Sequence, residues 1–361
     1  MGVEMFHKLA RKHLLMLKNI TTAIPGYSNR SDSIVLNLNL NNFSSDKYRF
    51  YPESNVDSVL LKYLSCLDGF GHIKLNKTSL KIEDLFLSSG SAGAIDLIIR
   101  GFCEPNQDSV IIASPAFPYY SHRAHLENVS VIDIPLLGEN YDTLNIDKIL
   151  AHEAKILFLC SPNNPVGTLL KQSEVETILK NFAGIVIMDE AYIEWSNYPS
   201  YVEWIKKYDN LIVLRSFSKF WGLAGVRAGM VIASTPIVSV LHLIKTMFSF
   251  PQSSFDLLIN KINEIGIHLE YKNKMIKERN KLCEFLANMD LVVRVFPSEA
   301  NYLLVQFHDE KAVFQTLLDS NIFVANSSMQ VPHSLRISIG LEEEMDSLKI
   351  ALKKCCVANL A

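Results

Sequence analysis

Apolar residues along this chain follow two rhythms. Short runs rich in Val, Ile and Leu recur at 84–88 (DLFLS), 109–113 (SVIIA), 129–134, 156–160 (ILFLC), 185–189 (IVIMD), 211–215 (LIVLR) and 229–233 (GMVIA). Several are apolar almost throughout, as expected of strands covered by helices on both faces, so they predict a mostly parallel sheet. Between them, stretches such as 92–102 (AGAIDLIIRGF) and 173–182 carry apolar residues at helical spacing. The segment 251–286 reads as one long helix with many Lys and Glu. Beyond it come runs at 291–296 and 302–307, a helix near 311–320, a run at 335–339 and a final helix. The reading is an α/β fold. A large domain with a mostly parallel central sheet spans 46–250, and a smaller α+β C-terminal domain spans 251–361. Residues 1–45 are expected to form an arm packing with the smaller domain. No internal repeat or low-complexity segment is visible.

Charge alters the reading of the first residues. Lys and Arg interrupt the apolar run there, and no small-residue cleavage site follows. Leu9, Leu14, Leu15 and Leu17 suit an amphipathic helix instead. No apolar stretch approaches the ~20 residues of a membrane span, so a soluble, cytoplasmic protein is expected. At 361 residues and 48% hydrophobic content, the chain can bury a large core in one to two domains. A net charge of −3 with scattered Lys and Arg argues against nucleic acid or an anionic membrane as partner. The six cysteines show no zinc-ligand spacing, so no metal is expected and the thiols read as reduced. Adjacent Cys355 and Cys356 could form a strained bridge or remain two thiols on a terminal helix, and the second is expected.

Ligands of a doubly wound sheet sit beyond the carboxyl ends of its strands. Four polar constellations occupy such ends. Ser88-Ser89-Gly90-Ser91-Ala92 precedes an apolar helix, and is either a phosphate-binding helix start or a plainly capped helix. Ser161-Pro162-Asn163-Asn164-Pro165-Val166-Gly167 either fixes an Asn side chain in one direction or is a simple turn. Asp189-Glu190-Ala191-Tyr192 sets a carboxylate where desolvation demands a cation or donor, or merely caps a helix. Ser216-Phe217-Ser218-Lys219, followed by Arg227, offers an amine that can lose its proton and attack a carbonyl carbon. Its hydroxyls and guanidinium would suit a phosphate dianion. The alternative is a surface Lys and a structural Arg. All four fall in one order at the ends of successive strands, which favours a single site.

These residues resemble the fold-type I pyridoxal-phosphate enzymes, and among them the histidinol-phosphate aminotransferase branch. The resemblance spans roughly 36–352 and rests on 160–167 (CSPNNPVG), 189–194 (DEAYIE), 215–227 (RSFSKFWGLAGVR) and 335–340 (LRISIG). It implies that Lys219 holds pyridoxal 5'-phosphate as a Schiff base and shuttles the substrate proton. Asp189 would face the pyridinium nitrogen. Asn164 and Tyr192 would donate to the ring 3′-oxygen, and Phe117 would stack on the ring. Ser91 and Ala92 would give backbone phosphate donors; Ser216, Ser218 and Arg227 would give side-chain ones. Tyr51 would reach the phosphate of a neighbouring subunit in a homodimer with shared sites. Arg336 would clamp the substrate α-carboxylate, with Asn39 and Tyr27 near the substrate and His333 a further pocket candidate. Two positions depart from the pattern. Leu40 stands where the family often has an acidic residue, and Ala325 where phosphate-binding members tend to carry Arg. Both make the side-chain pocket less polar, which suits an aromatic or aliphatic amino acid.

The resemblance thus implies ping-pong transfer of an amino group between an L-amino acid (histidinol-phosphate-like, aromatic or aliphatic) and a 2-oxo acid. A decarboxylase of the threonine-phosphate type is the alternative, since no motif displays which α-carbon bond breaks. A regulatory module is disfavoured, because the chain has no spare length for a DNA-binding segment.

Overall fold

A computed structural model describes residues 9–16, 39–52, 56–67 and 80–358. Seven strands form the large sheet: β1 (Leu85–Ser88), β2 (Ser109–Ser114), β3 (Ser130–Pro135), β4 (Ile156–Cys160), β5 (Ile185–Asp189), β6 (Leu211–Ser216) and β7 (Gly229–Ala233). Their order is β1-β7-β6-β5-β4-β2-β3. Pairing is parallel except for β7, which runs antiparallel to both neighbours. The mostly parallel sheet is as the sequence predicts.

Alternation along the strands divides the interior into two layers. Leu157 and Leu159 of β4, Val186 and Met188 of β5, and Leu211 and Val213 of β6 face one side. Three helices cover that side: α1 (Asp57–Leu67), α5 (Gln172–Asn181) and α7 (Gln252–Asn263). Ile156, Phe158, Ile185, Ile187, Ile212 and Leu214 face the other. There lie α2 (Gly90–Phe102), α3 (Tyr119–Leu126) and α6 (Thr235–Ile244), while the short α4 (Ile146–Leu150) joins β3 to β4. Burial on both faces explains the near-continuous apolar runs. Beneath the ends of β5 and β6, fully buried Arg215 pairs with Glu190 and Glu194, each at 2.9 Å, and donates to Ser200 Oγ at 2.8 Å.

The second sheet has the order β10-β11-β9-β8, all antiparallel: β8 (Val292–Val295), β9 (Tyr302–Phe307), β10 (Ala325–Asn326) and β11 (Ser334–Ser338). It packs with α9 (Glu310–Asp319), α10 (Glu342–Ala358) and the end of α8 (Ile265–Ala287). Leu335 and Ile337 enter this small core, so the intervening Arg336 points away from it.

Three expectations are corrected. The single helix over 251–286 is two, broken at Glu264, whose N–H bonds Lys261 O at 3.0 Å. Phe255, Leu258 and Ile262 of α7 lie in the large core, whereas Leu282 and Leu286 of α8 lie in the small one. The change from large to small core therefore runs along α8 and not at residue 250. Of the arm, residues 9–16 pack on the large sheet's helical layer rather than on the small unit. Leu9 and Ala10 join the cluster of Ile98, Ile99 and Phe102, and Arg11 pairs with Glu104 at 3.4 Å. Of the amphipathic helix expected at the start of the chain, the described residues hold helical Leu9 and a 3-10 turn, Lys12–Met16; the rest lies outside the described residues. Cys355 is a free, buried thiol.

Candidate active site

Strand register brings the four constellations to one edge. Cys160 and Asp189 lie side by side at the ends of β4 and β5, with Leu214 of β6 as the next neighbour. Because β7 is reversed, its first residue, Gly229, pairs with the last residues of β1 and β6, Ser88 and Ser216. The loops after β1, β4, β5 and β6 and before β7 thus share one rim.

Asp189 is buried on this rim, and burial pushes its carboxyl pKa up. Three groups oppose that rise: the Tyr120 hydroxyl, the Ala191 N–H and the charge of Lys219. Tyr120 donates to Oδ2 at 2.6 Å and Ala191 N–H to Oδ1 at 3.0 Å. Lys219, in the loop after β6, is exposed as a whole residue, and partial desolvation of its amine is the first cause lowering the amine pKa. The cations Arg336 and Arg227 add to this, and Asp189 works against it.

Glycines shape the anion side of the rim. Gly229 has no room for a side chain, since a Cβ would stand 2.4 Å from Gly90 C and Ser91 N. At Gly90 (φ +77°), a Cβ would meet Arg227 Nη2 at 2.7 Å. The start of α2, with Ser91 and Ala92, thus lies directly beneath the Arg227 guanidinium. Arg227 itself takes a left-handed backbone, φ 57°, and donates to Ala224 O at 3.0 Å. Ser216 is buried, and its Oγ accepts from Ser218 N at 3.2 Å. N–H groups at a helix start, two hydroxyls and a guanidinium make a cradle for a phosphate dianion.

Across the rim, Lys219 Nζ lies 5.5 Å from the centre of the Tyr192 ring. Tyr192 meets Tyr302 edge-on at 5.1 Å, and the Arg336 guanidinium lies 5.2 Å from the Tyr302 ring centre. Arg336 also donates to Asn164 Oδ1. Tyr302 OH donates to Asn163 O at 2.5 Å, and Asn163 Nδ2 to Pro115 O at 2.9 Å. Phe117, half-buried after β2, stands edge-on to Tyr120 at 5.7 Å. From the small unit, Gln330 Nε2 donates to Ala116 O beside it.

Other expected residues lie elsewhere. Tyr27 falls outside the described residues. Asn39 is exposed with a left-handed backbone. Tyr51 stacks on Phe248 at 4.5 Å, next to Ser249, whose carbonyl accepts from Ser89 Oγ at 3.0 Å. His333 is exposed and turned to Glu310 at 2.8 Å. Among the described residues, no group of three or more His, Cys, Asp or Glu is placed to hold a metal ion, and no helix is long and apolar enough to cross a membrane.

Residues 33–352 match the family model described as aminotransferase class I and II. The chain belongs to this family. A histidinol-phosphate aminotransferase of Bacteroides thetaiotaomicron is 34% identical, covering 98% of this chain and 99% of its own. One from Parabacteroides distasonis is 41% identical over 75% of this chain and 79% of its own. The fold matches that of the Sinorhizobium meliloti histidinol-phosphate aminotransferase, solved in complex with pyridoxal-5'-phosphate. The TM-score is 0.71 at 20% identity, covering 86% of this chain and 89% of that one.

This aminotransferase therefore depends on pyridoxal 5'-phosphate. The rim fits that molecule: a cradle for its phosphate, an amine for its aldehyde and a buried carboxylate for its ring nitrogen. Three residues on this rim were given no role in the sequence reading: Tyr120, Asn163 and Tyr302. Tyr120 lies three positions after Phe117, one helical turn on. That spacing was the available signal for it.

Proposed function

We propose that this aminotransferase moves an amino group between an L-amino acid with an aromatic or aliphatic side chain and a 2-oxo acid. In this reading Lys219 binds the cofactor covalently and Arg336 grips the substrate α-carboxylate. The observation that carries the substrate class is the register of the small sheet. Ala325 of β10 is directly opposite Arg336 of β11. Directly opposed residues share a face about 5 Å apart, so a methyl group stands where a second cation would serve a substrate phosphate. One missing guanidinium–phosphate contact costs about 1.5–3 kcal/mol.

When bound, pyridoxal phosphate supplies an aldehyde for the amino group and a ring that draws electrons from the α-carbon. Asp189 keeps the ring nitrogen protonated, being an anion fixed in a dry setting. Lys219, its pKa depressed, would supply a neutral amine able to take the proton from the substrate α-carbon and to hold it for return. Asn164 and Tyr192 donate to the ring oxygen, and Phe117 covers the ring face. Ser91, Ala92, Ser216, Ser218 and Arg227 hold the phosphate. Tyr51 reaches the cradle of a second copy, which makes the working form a homodimer in the cytoplasm. Asn39 and Tyr27 stay candidates for substrate contact.

An amino-donor screen on the purified holoenzyme tests this. Phenylalanine, tyrosine, leucine and histidinol phosphate are compared by kcat/KM with 2-oxoglutarate as acceptor. Aromatic or aliphatic donors are expected to exceed histidinol phosphate, with parallel double-reciprocal lines. A preference for histidinol phosphate overturns the substrate class. Release of carbon dioxide without an oxo acid selects decarboxylation instead.

A further inference from the structure

The carboxylate on the rim has a partner from the opposite layer of the fold. Tyr120 belongs to the first turn of α3 and is fully buried. Its ring stacks on Phe158 of β4 at 4.6 Å, and the Phe117 ring stands edge-on to it. These contacts fix the ring, so the hydroxyl has one direction to point. It donates to Asp189 Oδ2 at 2.6 Å, a short bond of the kind formed by an O–H and an ionised carboxylate. Ala191 N–H holds the other oxygen at 3.0 Å. With each oxygen bound by one rigid donor, the carboxylate plane cannot turn.

Cys160, beside Asp189 in the sheet, has its thiol within reach of the same hydroxyl. Burial pushes its thiol pKa well up, so it remains neutral, and it donates to Pro162 O at 3.4 Å.

We propose that Tyr120 is a positioning residue that keeps Asp189 ionised and aimed at the cofactor ring nitrogen. The inference rests on the reading of Asp189 as the partner of that nitrogen. A buried carboxylate deprived of this donor gains a proton more readily, and a neutral carboxyl no longer favours a protonated ring. The alternative is that Tyr120 only fills the core between Phe117 and Phe158. Tyr120→Phe separates the two, because it keeps the ring and removes the hydroxyl alone.

The readout is cofactor affinity of the apoprotein, measured by fluorescence titration. The two probes are pyridoxal phosphate and its analogue with carbon in place of the ring nitrogen. Wild-type protein should bind pyridoxal phosphate more tightly than the analogue. In Tyr120→Phe, affinity for pyridoxal phosphate should fall about ten-fold or more, the scale of one hydrogen bond to a charge. Affinity for the analogue should stay within about two-fold, since no nitrogen faces the carboxylate. Tyr120→His, which keeps a ring N–H donor, should recover part of the discrimination. Equal losses for both probes, or no loss for either, overturn the role of Tyr120. So does a Tyr120→His protein that discriminates no better than Tyr120→Phe. If wild-type protein binds both probes alike, the reading of Asp189 fails instead, a result distinct from failure of the inference about Tyr120.

Discussion

The amine at position 219 has its pH response set by its neighbours. Partial desolvation lowers its pKa first, and the Arg336 and Arg227 charges lower it further. Only the neutral amine attacks an aldehyde, so the rate of covalent cofactor binding should rise with pH. Its midpoint should lie below the ordinary lysine value of 10.5. Arg336→Gln removes one cation. The Lys219 pKa should then rise and the rate profile move to higher pH, as stopped-flow mixing of apoprotein with pyridoxal phosphate would report. A profile that stays put or moves to lower pH contradicts this account. Residues of this kind were legible because they sit in short motifs at strand ends. Tyr120 and Tyr302 were not, since their partners lie 69 and 139 positions away. Local spacing carries no information about pairing over such separations.

Elements were legible where burial was extreme. Apart from the edge strand β3, the strands of the large sheet bury both faces, and the ends read from sequence fall within a residue or so of those observed. The break at Glu264 was hidden because helical spacing resumes at once, and α8 buries Lys272, Glu278 and Arg279 beside its apolar residues. β10 has two residues, too few for any periodicity. At this scale the contact of β7 with the start of α2 makes a sharp prediction. Gly229→Ala forces backbone apart, because its Cβ would lie 2.4 Å from Gly90 C and Ser91 N. It should destabilise the fold by about 1–3 kcal/mol and weaken cofactor retention on gel filtration. Gly225→Ala, with nothing within 4 Å of its Cβ, should do neither. Equal behaviour of the two variants would show that the cradle tolerates the shift.

For the whole molecule, composition and pattern sufficed for two cores but not for their boundary, which a single helix, α8, crosses. The segment 39–52 leaves Phe43 fully exposed and Tyr48 and Tyr51 about half-exposed. In a homodimer this aromatic surface would be covered. Phe43→Asp should shift the protein towards monomer in sedimentation velocity and speed cofactor loss on dilution; an unchanged sedimentation coefficient would place the contact elsewhere. The reversed strand has one more consequence. Ser216 and Gly229 are paired neighbours, so residues 217–228 leave the sheet and return at almost the same point. Lys219 and Arg227 both ride on that closed excursion. The loop acts as a gauge for its guest: a cofactor analogue one bond longer between aldehyde and phosphate should be able to engage the amine or the guanidinium, but not both at once.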